Sequence, residues 1–151
     1  MKFDFSRLYF TTTGRIGRAG FWLGMVGIVV VAVVAILVVA GIFGPLSVVA
    51  EALVFFIELL LAYPAYAVMA KRFHDRARPA ATAMPAIGIP LVTALLTLTG
   101  LTGSEAGPNL LGEVLNFINL VIGIWILIDL GILPGTRGEN EYGPDPTVTA
   151  R

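Results

Sequence analysis

The chain contains no cysteine and a single histidine, and only 13% of its 151 residues are charged. Without cysteine there is no disulfide and no thiolate metal ligand, and one histidine forms a zinc site only if several carboxylates converge on it. We therefore expect no metal site and no cofactor. A soluble domain carries about 25% charged residues. The low charge and a mean hydropathy of +0.88 instead indicate a membrane protein.

Lysine and arginine are missing from two of the connections between the four apolar blocks of the chain. Neither residues 44–50 nor residues 100–112 contain a basic residue. Because the cytoplasmic loops of membrane proteins are enriched in Lys and Arg, this asymmetry predicts four spans with both termini in the cytoplasm. All ten basic residues flank the spans on that side: Lys2, Arg7, Arg15, Arg18, Lys71, Arg72, Arg76, Arg78, Arg137 and Arg151.

The apolar blocks predict transmembrane helices at about 21–43, 52–70, 80–101 and 114–133, since about 20 residues cross a hydrocarbon core. Short connections favour antiparallel neighbours. The expected fold is an all-α, up-down four-helix membrane bundle in one domain (1–146), followed by a flexible tail (147–151). Residues 1–13 form either a short interfacial helix or a frayed end. No cleavable signal peptide is expected, because the uncharged run over 19–50 is too long for one.

Polar residues inside the spans are functional candidates, because ionisable groups are costly within a membrane. Glu58 lies at a depth close to that of Asn119 and Thr97, which allows a proton or cation site. The alternative, a protonated Glu58 hydrogen-bonded to an Asn so that it joins two helices, is favoured because the sequence shows no aqueous path. The intramembrane candidates are Glu58, Asn116, Asn119 and Asp129. The expected partners of Asp129 are Arg15, Arg18 or Arg72.

Three segments outside the spans form a recognisable pattern: residues 14–22 (GRIGRAGFW), 72–75 (RFHD) and 135–146 (GTRGENEYGPDP). In order and spacing they resemble the domain-of-unknown-function 805 family of small bacterial inner-membrane proteins, over nearly the whole chain. The resemblance implies four spans in the inner membrane and no known activity. The family pattern places Gly after His-Asp, and Ser-Gly-Trp before the third span. This chain has Ala77 and Pro-Ala-Ala (79–81) there, so no role of that loop is carried over.

All three segments lie on the side predicted to be cytoplasmic, where they could form one basic patch. Turn-forming residues in the tail predict that it folds back over this patch, with Tyr142 packed and Asp145 or Glu139 paired to an arginine. Arg18 precedes Trp22 by one helical turn, which allows a cation–π contact or ordinary interfacial anchoring. The candidate binding residues are Arg15, Arg18, Trp22, Arg72, His74, Asp75, Asn140, Tyr142 and Asp145.

No catalytic residue is expected, because His74 and Asp75 are adjacent and nothing in the sequence supplies a pocket or a nucleophile. Asp75 is instead spaced for salt bridges with Lys71 and Arg72 along one helix. Nucleic acid is not an expected partner, since no binding motif accompanies the basic residues. The favoured function is a non-enzymatic inner-membrane protein that contacts anionic lipid headgroups, a membrane-protein partner or a second copy through the patch. The alternative is a small oligomeric transporter or channel with Glu58 and Asn119 in a polar path.

Overall fold

Four long helices dominate the protein, seen here in a computed structural model that describes residues 4–45, 47–104 and 107–147. A short helix α1 (Phe5–Tyr9) precedes them, and a 3-10 turn (Ala80–Ala83) leads into the third. A π-helical turn (Leu127–Ile132) continues the fourth. Two-residue strands β1 (Gly103–Ser104) and β2 (Gly107–Pro108) pair antiparallel. The long helices are α2 (Arg18–Phe43), α3 (Val48–Asp75), α4 (Met84–Leu98) and α5 (Leu110–Ile126).

All four helical segments are long and apolar enough to cross a membrane, as predicted for a multi-pass membrane protein. Their bounds differ from the predicted spans chiefly at α3, which continues past residue 70 to Asp75 and so carries the His-Asp pair on the helix. Lys2, Glu105 and the residues after Thr147 lie outside the described residues, so the predictions made for them are not addressed.

Side chains adjacent to the helices fix several of their ends. Ser47 caps α3 by accepting a hydrogen bond from the Ala50 amide at 3.1 Å. Asn109 caps α5 by accepting one from the Gly112 amide at 3.0 Å. Such caps satisfy amides that the first turn of a helix leaves unpaired. The capped starts of α3 and α5 are the helix ends that lie away from the three motifs.

The long helices pack in chain order, α2 on α3, α3 on α4 and α4 on α5, and the π-helical turn packs back against α2. Glycines allow two of these approaches. A Cβ atom at Gly24 would lie 2.9 Å from Val68 of α3, and one at Gly131 would lie 2.8 Å from the ring of Trp22. Gly24 therefore admits a neighbouring helix, whereas Gly20, one turn earlier on α2, faces Ile16 of its own chain segment.

Lys71 attaches helix α1 to α3. Its buried ammonium group donates to the carbonyls of Arg7, Leu8 and Thr11 at 2.5–2.7 Å. The carbonyls of Arg7 and Leu8 belong to the last turn of α1 and that of Thr11 follows it, and a cation is favoured at this end by the helix dipole. The expected salt bridge from Lys71 to Asp75 is therefore wrong, because the ammonium group donates its hydrogen bonds to these carbonyls instead. Residues 5–9 are a packed helix rather than a frayed end.

Candidate functional site

The three family motifs meet at one end of the helices. We call this assembly the motif cluster and define it as residues 14–18, 72–78 and 130–147. It brings together the start of α2, the end of α3, the π-helical turn after α5 and the tail. Asp75, the last residue of α3, lies at its centre with a side chain only 4% exposed.

Two arginines neutralise the Asp75 carboxylate. Arg15 donates to Oδ1 through Nε at 3.2 Å and through a terminal nitrogen at 2.9 Å. Arg72 donates to Oδ2 from one turn earlier on α3. Both arginine side chains are buried, at 1% and 0% exposure. A buried carboxylate held by two guanidinium groups is a structural ion triad, and the Arg72–Asp75 bridge expected from the sequence is present.

Arg15 also binds the tail. Its guanidinium group donates to the carbonyls of Thr136 at 2.6 Å, Gly138 at 2.7 Å and Gly143 at 3.1 Å. The Asp75 carbonyl in turn accepts the Thr136 amide at 2.7 Å. Arg15 therefore joins the first motif to the second through charge, and to the third through backbone carbonyls.

His74 and the tail form the second contact between motifs. The imidazole stacks on Tyr142 with the rings 3.9 Å apart and nearly parallel. Its Nδ1 lies 3.0 Å from the Gly14 carbonyl. Asn140 donates to the His74 carbonyl at 2.9 Å and closes a tight turn with Gly143. The prediction that the tail folds back with Tyr142 packed is thus confirmed.

Trp22 and three arginines cap the carbonyls at the end of the π-helical turn. Arg72 donates to Leu130 and Leu133, Trp22 to Gly131, Arg18 to Ile132 and Arg76 to Pro134, at 2.5–3.2 Å. Helix ends leave such carbonyls unpaired, and cations are favoured there. Arg18 and Trp22 each donate to a carbonyl at the end of the π-helical turn. The cation–π contact that their spacing allowed is absent among the described residues.

Asp129 pairs with Arg76 at 2.7 Å and Arg78 at 2.5 Å, so the expected partners Arg15, Arg18 and Arg72 are wrong. The turn after α3 explains the difference. Arg78 donates its amide to the Phe73 carbonyl and Ala77 to the His74 carbonyl, which is a Schellman ending. Ala77 has a φ of 53°, the left-handed conformation that glycine favours. This turn directs Arg76 and Arg78 back toward α5.

The tail carboxylate Asp145 holds a turn, and it also feels the positive charge of Arg15. It accepts the Gly138 amide at 2.9 Å, and the Thr147 amide and hydroxyl at 2.9 and 2.7 Å. The hydrogen bonds from Thr147, followed by the one from Gly138, lower the pKa of Asp145 below its ordinary 3.8. Partial desolvation and a hydrogen bond with Glu141 raise the pKa of Tyr142. Glu139 is exposed and pairs with no arginine among the described residues.

The motif cluster is therefore less basic than its sequence indicates. Asp75 and Asp129 neutralise arginines within the cluster, and acidic tail residues add further negative charge. Among the described residues, four arginines at this end of the protein are exposed, and two of them, Arg7 and Arg137, make no side-chain hydrogen bond or ion pair with any other described residue. Over the described ranges, no three acidic or histidine side chains come together as a metal site. The four exposed arginines counted above among the described residues are Arg7, Arg18, Arg78 and Arg137.

Two of the intramembrane candidates lie elsewhere, along a crevice of about 510 Å³ between the four long helices. Glu58 and Asn119 both line it, and Asn119 donates to the Thr93 hydroxyl at 3.0 Å. Thr93, one turn from the expected Thr97, is thus the partner on α4. The expected bond between Glu58 and a neighbouring helix is absent among the described residues. Asn116 is exposed and does not line the crevice.

Sequence reasoning missed three residues that organise these sites. Lys71 and Thr136 donate to backbone carbonyls far away in the chain, and no local spacing indicates such contacts. Thr93 could have been found, because it precedes Thr97 by one helical turn and so shares a face with it.

Comparisons with known proteins agree with the motif pattern. The sequence profile of the family described as "Protein of unknown function (DUF805)" matches residues 9–144. The chain is 34% identical over 136 residues to "Uncharacterized protein YiiR" of Escherichia coli strain K12, a match that covers 90% of this chain and 86% of the relative. The protein of the same name in Escherichia coli O157:H7 matches equally. No solved structure matches. The chain belongs to the DUF805 family of proteins of unknown function.

Proposed function

We propose that this is a non-enzymatic protein of the bacterial inner membrane, which contacts anionic lipid headgroups through exposed arginines around the motif cluster. The four helices cross the membrane up and down as an antiparallel bundle, both termini and the cluster face the cytoplasm, and α1 lies at the interface. The absence of Lys and Arg from the connections at 44–50 and 100–112 supports this orientation.

The observation that carries the lipid contact is the division of the arginines into buried and exposed groups. Arg15 and Arg72 share the Asp75 carboxylate, and their side chains, at 1% and 0% exposure, are buried away from any partner. Arg7 and Arg137 are exposed without partners among the described residues, and Arg18 uses one terminal nitrogen on Ile132. Cations at the membrane surface are attracted to anionic lipid by about 1 kcal/mol each. A non-enzymatic role is supported by His74, whose ring is covered by Tyr142 and bonded to Gly14.

The experiment compares lipids retained by the purified protein in native mass spectrometry, after reconstitution with equal amounts of phosphatidylglycerol and phosphatidylethanolamine. The wild type should retain an excess of phosphatidylglycerol. Replacing Arg7, Arg18 and Arg137 by Gln should lower that preference by about five-fold per residue, the equivalent of about 1 kcal/mol each.

Arg78→Gln is the matched control, since it removes one exposed cation that is already paired with Asp129. It should change the lipid preference little. An unchanged phosphatidylglycerol excess in the triple variant, or an equal loss in Arg78→Gln, would contradict the proposed contact.

A further inference from the structure

The crevice between the helices contains polar groups that the motif cluster does not use. Its volume of about 510 Å³ falls within the roughly 300–1,000 Å³ of ligand pockets. Residues from α2, α3, α4 and α5 line it, and the apolar walls include Ile28, Leu61, Met69, Ile87 and Leu91. A smaller cleft at the motif cluster is lined by residues that include Arg18, Arg72 and Thr136. The crevice shares no lining residue with it, so the inference is independent of the lipid-headgroup contact.

Asn119, one of the lining residues, carries an acceptor of fixed orientation. The hydroxyl of Thr93 donates its one hydrogen to the Ile89 carbonyl at 2.9 Å, so it can only accept from Asn119. The side-chain amide of Asn119 is therefore oriented with Nδ2 toward Thr93, and Oδ1 is left to accept a hydrogen bond from another group. Oδ1 is buried and has no partner among the described residues.

Two further acceptors line the same crevice. The carboxyl group of Glu58 makes no hydrogen bond or ion pair with any described residue. Pro90 has no N–H and therefore cannot donate to the carbonyl of Ala86, one turn earlier on α4, and both residues line the crevice. The donors of Thr93 and Asn119 are already engaged. With Glu58 as a carboxylate, the polar lining thus offers acceptors and lacks a free donor.

This composition selects the chemistry of a ligand. An anion would be repelled by a carboxylate, and a neutral apolar molecule would leave the acceptors unpaired at a cost. A bare metal ion would not contact the apolar walls. We propose that the crevice binds an amphiphilic ammonium ion, with its N–H groups on Glu58 and Asn119 and its apolar body against the walls.

Chemical labelling of Glu58 tests this ligand in vesicles that contain the full-length protein. Dicyclohexylcarbodiimide, an apolar reagent for carboxylic acids within membranes, should modify Glu58, and mass spectrometry measures the rate. Octylammonium should slow this rate about 10-fold, the effect of hydrogen bonds to a charged group. Octanol, which has no charge, and octyltrimethylammonium, which has no N–H, should slow it much less. Equal protection by either compound, protection by NaCl or KCl alone, or an unreactive Glu58 would overturn the proposal.

Two asparagines on α5 give a matched pair of variants. Asn119→Leu removes the buried acceptor and should abolish most of the protection by octylammonium, whereas Asn116→Leu lies outside the crevice and should retain it. Unchanged protection in Asn119→Leu would contradict the assigned role of Oδ1. A second measurement, the Tm, needs neither the labelling reagent nor the Asn119→Leu variant. Octylammonium should raise the Tm of the wild type and of Asn116→Leu more than that of Glu58→Gln. An equal rise in all three would also overturn the proposal.

Discussion

Replacing Asp75 by Asn should destabilise the protein strongly, because it leaves two buried arginines without their counter-charge. Arg15 and Arg72 are 1% and 0% exposed, and the substituted amide cannot neutralise either. Removing one partner of a buried ion pair typically costs about 3–5 kcal/mol. Both guanidinium groups keep their bonds to backbone carbonyls, so we expect a value near the lower bound, about 3 kcal/mol.

The free energy of unfolding can be measured in mixed micelles with increasing fractions of sodium dodecyl sulfate, with helicity followed by circular dichroism. A local measurement should accompany it. Arg15 holds the carbonyls of Thr136, Gly138 and Gly143, so loosening the triad should release the tail and speed trypsin cleavage after the exposed Arg137.

Asp145→Asn is the matched control, because it makes the same chemical change on a carboxylate of the tail, which accepts hydrogen bonds from Gly138 and Thr147. It should affect global unfolding far less than Asp75→Asn. A loss below about 1 kcal/mol for Asp75→Asn, with the tail still protected from trypsin, would refute the view that the triad holds the cluster together.

Three further predictions concern single residues. Ala77→Gly should stabilise the protein against the same denaturant by about 1 kcal/mol, because φ at this position is 53° and glycine adopts that conformation without strain. Lys71→Met should cost about 2–4 kcal/mol and increase hydrogen exchange across α1, because three carbonyls lose their ammonium donor. Because the pKa of Asp145 is lowered on folding, its turn should persist at neutral pH and weaken only as the pH falls below about 4, which amide exchange at Thr147 would report.

The helices could be predicted from the sequence, but the partners of most charged side chains could not. Apolar runs bounded by glycine, proline and charge fix where a chain can cross a membrane, and the motifs on one side indicated that they would gather. Arg15 and Asp75 are 60 positions apart, so no helical spacing reveals their pairing. It is set by the packing of α2 on α3.

The wrong partners of Asp129 and Lys71 have a common cause, which is backbone geometry at helix ends. The left-handed residue Ala77 redirects the chain so that Arg76 and Arg78 reach Asp129. The last carbonyls of α1 attract Lys71 more favourably than Asp75, which is already neutralised by two arginines. The family pattern has Gly at the place of Ala77, and this glycine indicated the left-handed turn that directs Arg76 and Arg78 to Asp129.

The most direct test of the account is the side of the membrane on which the motif cluster lies. Since the chain has no cysteine, single cysteines at Glu139 and Ser104 can report it without further changes. In intact spheroplasts, a membrane-impermeant maleimide should label Ser104→Cys, whereas Glu139→Cys should react only after the membrane is opened. The reverse pattern would place the exposed arginines on the outer face and contradict the proposed contact with cytoplasmic anionic lipid.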